Sequence, residues 1–163
     1  MNTMKRIPTL FLKAVVVLLG IPVLALCIFV VPEIADFIVE LYPDHTYLGA
    51  LVYIDLYASA IPFYFALYQS FNLLSYIDRN EAFSDLSVAA LGRIKQCALW
   101  ISGLYFLGMP LWYLLAERDD APGIILIGMV IVFASMVITV FAAVLEKLLR
   151  QAIDIKSEND LTV

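Results

Sequence analysis

The sequence predicts an all-α integral membrane protein, a four-helix bundle with both termini in the cytoplasm, and three observations lead there. Hydrophobic residues make up 63% of the chain and charged residues 15%, against about 45–50% and 25% in soluble domains. Four apolar runs, residues 14–31, 48–74, 97–116 and 123–145, are each long enough to cross the roughly 30 Å of hydrocarbon in a bilayer at 1.5 Å per residue. The basic residues are sorted: of the ten Lys and Arg residues, only Arg118 lies on the side of the two acidic connections. At 163 residues the chain has room for one transmembrane domain, 1–163, with a polar segment 75–96 and a tail 146–163 outside the spans.

The first run follows Lys5, Arg6 and Lys13. A basic start before an apolar stretch is also the pattern of a signal peptide, but residues 14–31 exceed the usual core of about 7–15 residues and no small-x-small cleavage site follows. Leu24 to Cys27 resembles a lipoprotein processing site only faintly, because Leu26 stands where a small residue belongs. A retained first span is predicted.

Residues 32–47 carry Glu33, Asp36, Glu40 and Asp44 with no Lys or Arg, and Ile34, Phe37, Ile38 and Leu41 recur at helical spacing opposite them. Two readings are open: a short amphipathic helix lying at the membrane surface, or a continuation of the first helix bent at Pro32.

The second span holds Asp55 and Pro62. At 100° per residue, Tyr53, Tyr57, Tyr64 and Tyr68 form one stripe, and Asp55, Ser59, Pro62, Ala66 and Gln69 gather opposite. The Asp55 side is assigned inward, since a carboxylate facing lipid is costly. As an intramembrane ionisable group Asp55 is a candidate for a proton or cation path; as a structural residue it would be satisfied by water or by Arg118. The tyrosines suit packing and interface anchoring better than a cation surface.

The segment SYIDRNEAFSDLSVAALGRIKQ, residues 75–96, organises the chain because its location fixes all four spans. Phe83, Ser84 and Val88 fit an N-cap with a hydrophobic staple, and Asp85 complements the helix dipole. The helix started there runs into the third span, where Gly103, Gly108 and Pro110 permit close packing and a bend. In the fourth span Ser135, Thr139 and Ala143 make a small-residue face. Beyond it Leu145, Leu148, Ala152 and Ile155 keep the helical period, and Glu146 can pair with Arg150 and Arg150 with Asp154, predicting an amphipathic stem in water.

By the positive-inside rule both termini and residues 75–96 face the cytoplasm, and Glu33, Asp36, Glu40, Asp44, Glu117, Asp119, Asp120 and His45 face outward. The predicted location is the inner membrane, N-in and C-in. Cys27 and Cys97 then lie toward opposite ends of the bundle, beyond disulfide reach. With two cysteines and one histidine, no metal site or cofactor is expected. There is no phosphate loop, nucleophile elbow or paired-histidine motif, so no enzyme is predicted, and no direct nucleic-acid binding. The inner face offers a basic, amphipathic platform instead: Phe83, Ser84, Arg93, Lys95, Lys147, Arg150, Lys156 and the tail residues Asp160, Leu161 and Val163.

Two stretches, NEAFSDLSVAALGRIKQCA and LEKLLRQAIDIKSENDLTV, resemble those of a family of small bacterial membrane proteins of unknown function, the YoaS-like group, and the likeness in hydropathy covers nearly the whole chain. The family tends to show Pro-Phe-Ser before a basic helix and an acidic Asp-Leu-Thr-Val ending. Here Glu81-Ala82 replaces the Gly or Asn then Pro expected before Phe83, and Asp85-Leu86 replaces a more acidic pair. The resemblance implies a four-helix membrane protein encoded beside a small helix-turn-helix regulator that it restrains or informs; no catalytic or binding residues carry over. The expected partners are the lipid bilayer, such a regulator, and further copies of the chain. The rival expectation is a small transporter or channel subunit using Asp55.

Overall fold

The structure, a computed structural model, describes residues 2–161, with side chains from residue 7 onward. Every described element is a helix: α1 (Asn2–Ala25), a π-helical segment (Leu26–Val30), α2 (Val31–Leu41), α3 (Tyr47–Asp78), α4 (Asp85–Arg118) and α5 (Gly123–Leu161). Four helical stretches are long and apolar enough to cross a membrane, the first running unbroken through α1 and α2. Their large side chains, among them Phe11, Leu18, Phe106, Leu107 and Phe133, are mostly outward and exposed, as a chain whose solvent is lipid requires.

Of the two readings of residues 32–47, continuation holds. The backbone stays right-handed helical through Val30 and Val31, and the sequence chemistry explains the π segment. Val31 donates to the Leu26 carbonyl five residues back. In that register the next donor would serve Cys27, but residue 32 is proline and has no N–H. The Cys27 carbonyl is taken instead by the Tyr57 hydroxyl, at 2.6 Å. Tyr64 likewise donates to the Gly20 carbonyl at 2.7 Å. Two of the four stripe tyrosines therefore fasten α3 to the first rod.

The spans pack in chain order: α1 and α2 lie on α3, α3 on α4, and α4 on α5. A hydrophobic core cluster sits at the end of the bundle that carries the 42–46 and 119–122 connections, where Ile38 of α2, Leu48 and Val52 of α3, and Trp112 and Leu115 of α4 close together. Gly49 makes the approach possible, since a Cβ there would stand 2.6 Å from Val39 Cγ2 and 3.1 Å from the Ala35 carbonyl oxygen. Gly103 has no such role, contrary to expectation; its position opens on empty space. Gly108 does face a neighbour, the Asp55 carboxylate. Of the expected small-residue face on α5, Ser135 is buried, and Ser102 of α4 donates to the Val132 carbonyl beside it.

The α3–α4 and α4–α5 connections close in the same way. Asn80 and Asp120 take left-handed backbone, with φ of 59° and 51°. The following residues, Glu81 and Ala121, donate back to Tyr76 and Ala116, which satisfies carbonyls that the ends of α3 and α4 would leave bare. The polar segment 75–96 is thus mostly helix: only residues 79–84 form the turn.

Candidate functional site

Two places bring polar side chains together. The first is the α3–α4 interface inside the membrane. Asp55 faces inward, as the face assignment requires, over Gly108, where a Cβ would come within 2.8 Å of Oδ2. The Trp112 indole is the polar group that faces the carboxylate, and Tyr105 stands near Asp55 and Ser59. Neither Asp55 Oδ2 nor Trp112 Nε1 completes a hydrogen bond, although both are buried. Further along the same face, Gln69 Oε1 is buried in the same state. Arg118, one of the two alternatives considered for satisfying Asp55, lies instead over the Tyr42 ring at 4.8 Å, while Tyr42 donates to the Leu114 carbonyl. His45 meets Tyr47 edge-on.

The second place is the end of the molecule that carries the termini and the 79–84 turn. Ser84 is an N-cap with extended backbone, and its side chain accepts from the Ser87 N–H. Ser84 and Ser87 hydroxyls both donate to the Glu81 carbonyl, so the turn is tied to the start of α4. Ser87 and Val88 are buried. Phe83 is not folded away behind them: it is 56% exposed and Leu86 52% exposed. Two large apolar side chains therefore stand outward beside a rigidly capped helix start.

Behind that tip, Lys95 of α4 bonds Glu146 of α5 at 2.9 Å, and Arg150 reaches the same carboxylate at 3.6 Å. Gly92 lies against Glu146 as well. The Lys95 ammonium hydrogen-bonded to it holds the Glu146 carboxyl below the usual range, despite partial burial. Lys95 is thereby committed to joining α4 to α5, while Arg150 meets the same carboxylate from within α5. Arg93 lies apart from them, in a groove of about 260 Å³ lined also by Pro62, Phe65, Gln96 and Trp100. Across the same end, Asp78 ties α3 to α1 by accepting from Thr9 and from Lys13, the latter at 2.9 Å.

Of the tail, Asp160 and Leu161 end α5 and are exposed; Val163 lies outside the described residues. The stem beyond the fourth apolar run is helical, as its periodicity to Ile155 predicts, and the helix goes on through the polar residues that follow to Leu161. Sequence reasoning did not single out Trp112 or the pairs Lys95–Glu146 and Lys13–Asp78. The signal for Trp112 was present, since Gly108 and Trp112 are one helical turn apart on a single face.

Helices of this length with polar clusters at one end and between two of them define a polytopic membrane protein. A family described as protein of unknown function DUF2975 matches residues 33–163. The chain is 67% identical over 160 residues to the uncharacterized membrane protein YoaS of Bacillus subtilis (strain 168), which covers 98% of this chain and 100% of that protein. The chain belongs to that family. No solved structure matches it.

Proposed function

We propose that this protein sits in the cell's inner membrane with both termini and the 79–84 turn in the cytoplasm, and that its inner face is a docking platform for a helix-turn-helix transcription regulator. The orientation rests on charge: nine of the ten Lys and Arg residues are at that end. The observation that carries the docking is the exposure of Phe83 and Leu86 on a helix start fixed by the Ser84 cap. Apolar side chains in water at a rigid site are the usual anchors of protein interfaces. Arg93 and the exposed tail residues Asp160 and Leu161 supply polar contacts at the same end. The regulator as partner rests on the family resemblance seen in residues 80–98 and 145–163. A photoreactive residue in place of Phe83, irradiated in cells, tests it. Capture of a cytosolic DNA-binding protein supports the reading; absence of any protein adduct from a correctly inserted chain refutes it.

A second reading has its own observation. Asp55 Oδ2 and Trp112 Nε1 are buried inside a span and fall short of a well-formed hydrogen bond, and an ionisable group so placed marks a candidate proton or cation path. On that reading the protein is a small transporter or channel subunit. Asp55→Asn then abolishes proton or cation flux in proteoliposomes, whereas on the first reading it leaves capture from Phe83 unchanged.

A further inference from the structure

An apolar surface of α5 begins within the fourth span and continues beyond it, where the rest of the chain does not cover it. Phe141, Leu145, Leu148, Ala152 and Ile155 follow one another at alternating steps of four and three. That repeat is the seam of a left-handed coiled coil. Phe141 is 65% exposed, Leu145 51%, Leu148 55% and Ile155 66%, with the small Ala152 half-buried between them. The adjoining face, about 100° round the helix, with Ala142, Glu146, Leu149 and Ile153, is more covered, and Glu146 is where α4 is bonded. Among the described helices, α5 packs extensively on α4 alone.

Lipid does not account for the seam's length. Residues 123–145 already span about 34 Å at 1.5 Å per residue, more than the roughly 30 Å of hydrocarbon. Ile155 stands about 15 Å further along the axis. A seam that runs without a break from the bilayer into water needs an occupant that does the same: a parallel helix, at the same depth, with the same repeat. A second copy related by a twofold axis along the membrane normal supplies one without further design.

We propose that two copies of this chain pair through a parallel coiled coil of their α5 helices along Phe141, Leu145, Leu148, Ala152 and Ile155. Charge placement favours it. Glu146, Lys147, Arg150 and Asp154 fall away from the seam, and the flanking positions bring Gln151 against the partner's Lys156, so no like charges meet across it. The pairing leaves Phe83 and Leu86, on the α4 side, open.

The test uses the full-length protein in its native membrane, with Cys27 and Cys97 replaced by alanine and single cysteines placed on the stem. After oxidation, Leu148→Cys and Ile155→Cys give a disulfide-linked dimer several-fold more than Arg150→Cys and Asp154→Cys, because only seam positions come within disulfide reach. Equal yields at all four, no dimer at 148 and 155, or adducts of another mass overturn the proposal. A second arm does not depend on oxidation. Leu148→Glu with Ile155→Glu alters side chains that fold exposed, so the protein still inserts, and its mass in mild detergent falls from two chains to one. An unchanged mass overturns the pairing. The outcome is separable from that of the docking proposal, which is read at Phe83.

Discussion

Gly49 allows a direct test of the core between α2 and α3. Replacing it by alanine places a Cβ 2.6 Å from Val39 Cγ2 and 3.1 Å from the Ala35 carbonyl oxygen. The first distance is shorter than non-bonded carbon atoms tolerate, and the second involves backbone, which yields only if α2 moves. Beneath it lie Ile38 and Val52, 1% and 0% exposed, so a shift of α2 opens the best-packed part of the molecule. Overpacking of this kind costs about 1–3 kcal/mol. Against it stands the gain of about 1 kcal/mol from replacing glycine in a helix. Gly103→Ala receives that gain alone, because its new methyl meets nothing within 4 Å. The predicted difference between the two variants is therefore the overpacking cost, about 1–3 kcal/mol, measured by reversible unfolding in mixed micelles. Val39→Ala removes the nearer obstacle, so the double variant recovers part of the loss. If Gly49→Ala is as stable as Gly103→Ala, or if Val39→Ala brings no recovery, the close approach of α2 and α3 is wrong.

Tyr57→Phe destabilises the protein more than Tyr64→Phe, because Tyr57 serves a carbonyl for which Pro32 provides no donor, while Leu24 is available to Gly20 one turn on. Pro32→Ala supplies the missing N–H and abolishes the difference; a persistent Tyr57 penalty in that background counts against the assignment. At the end that carries the 79–84 turn, Lys95→Ala loosens α4 from α5 more than Arg150→Ala, since Lys95 makes the shorter, interhelical contact and Arg150 is 65% exposed. The Glu146 carboxyl is held below its ordinary value of 4.5 in the folded protein. Its contribution is thus fully present above about pH 4.5 and is lost as the pH falls through the folded value. Glu146→Gln flattens that part of the stability profile, and an acid profile identical to wild type would refute the contact.

What was legible in the sequence is what depends on neighbours along the chain. Apolar run length gives the four spans, because a bilayer admits only segments that satisfy their own backbone. The Ser84 cap is legible because its bonds reach only a few residues. The inward side of α3 is legible from Asp55, whose cost in lipid orients the helix. Whether residues 32–47 leave the first helix was not decided by their amphipathic pattern, since an apolar stripe fits either the membrane surface or another helix. The structure decides it through Gly49 and Ala35, which let α2 lie against α3. Gly49 and Gly103 look alike in sequence; only the neighbouring helix distinguishes a contact from open space. Asp55 could not be matched to Trp112 rather than Arg118, nor Lys95 to Glu146, without knowing which faces of adjacent helices meet.

The claim that most of this rests on is that the Ser84 end of the molecule is the cytoplasmic end, and thiol labelling in intact cells measures it directly. In a chain with Cys27 and Cys97 replaced by alanine, a single cysteine at 45 in place of His45 reacts with a membrane-impermeant maleimide added outside. A single cysteine at 83 in place of Phe83 reacts only after the membrane is opened. Labelling of position 83 and protection of position 45 in intact cells would contradict the orientation, and with it the proposed regulator docking.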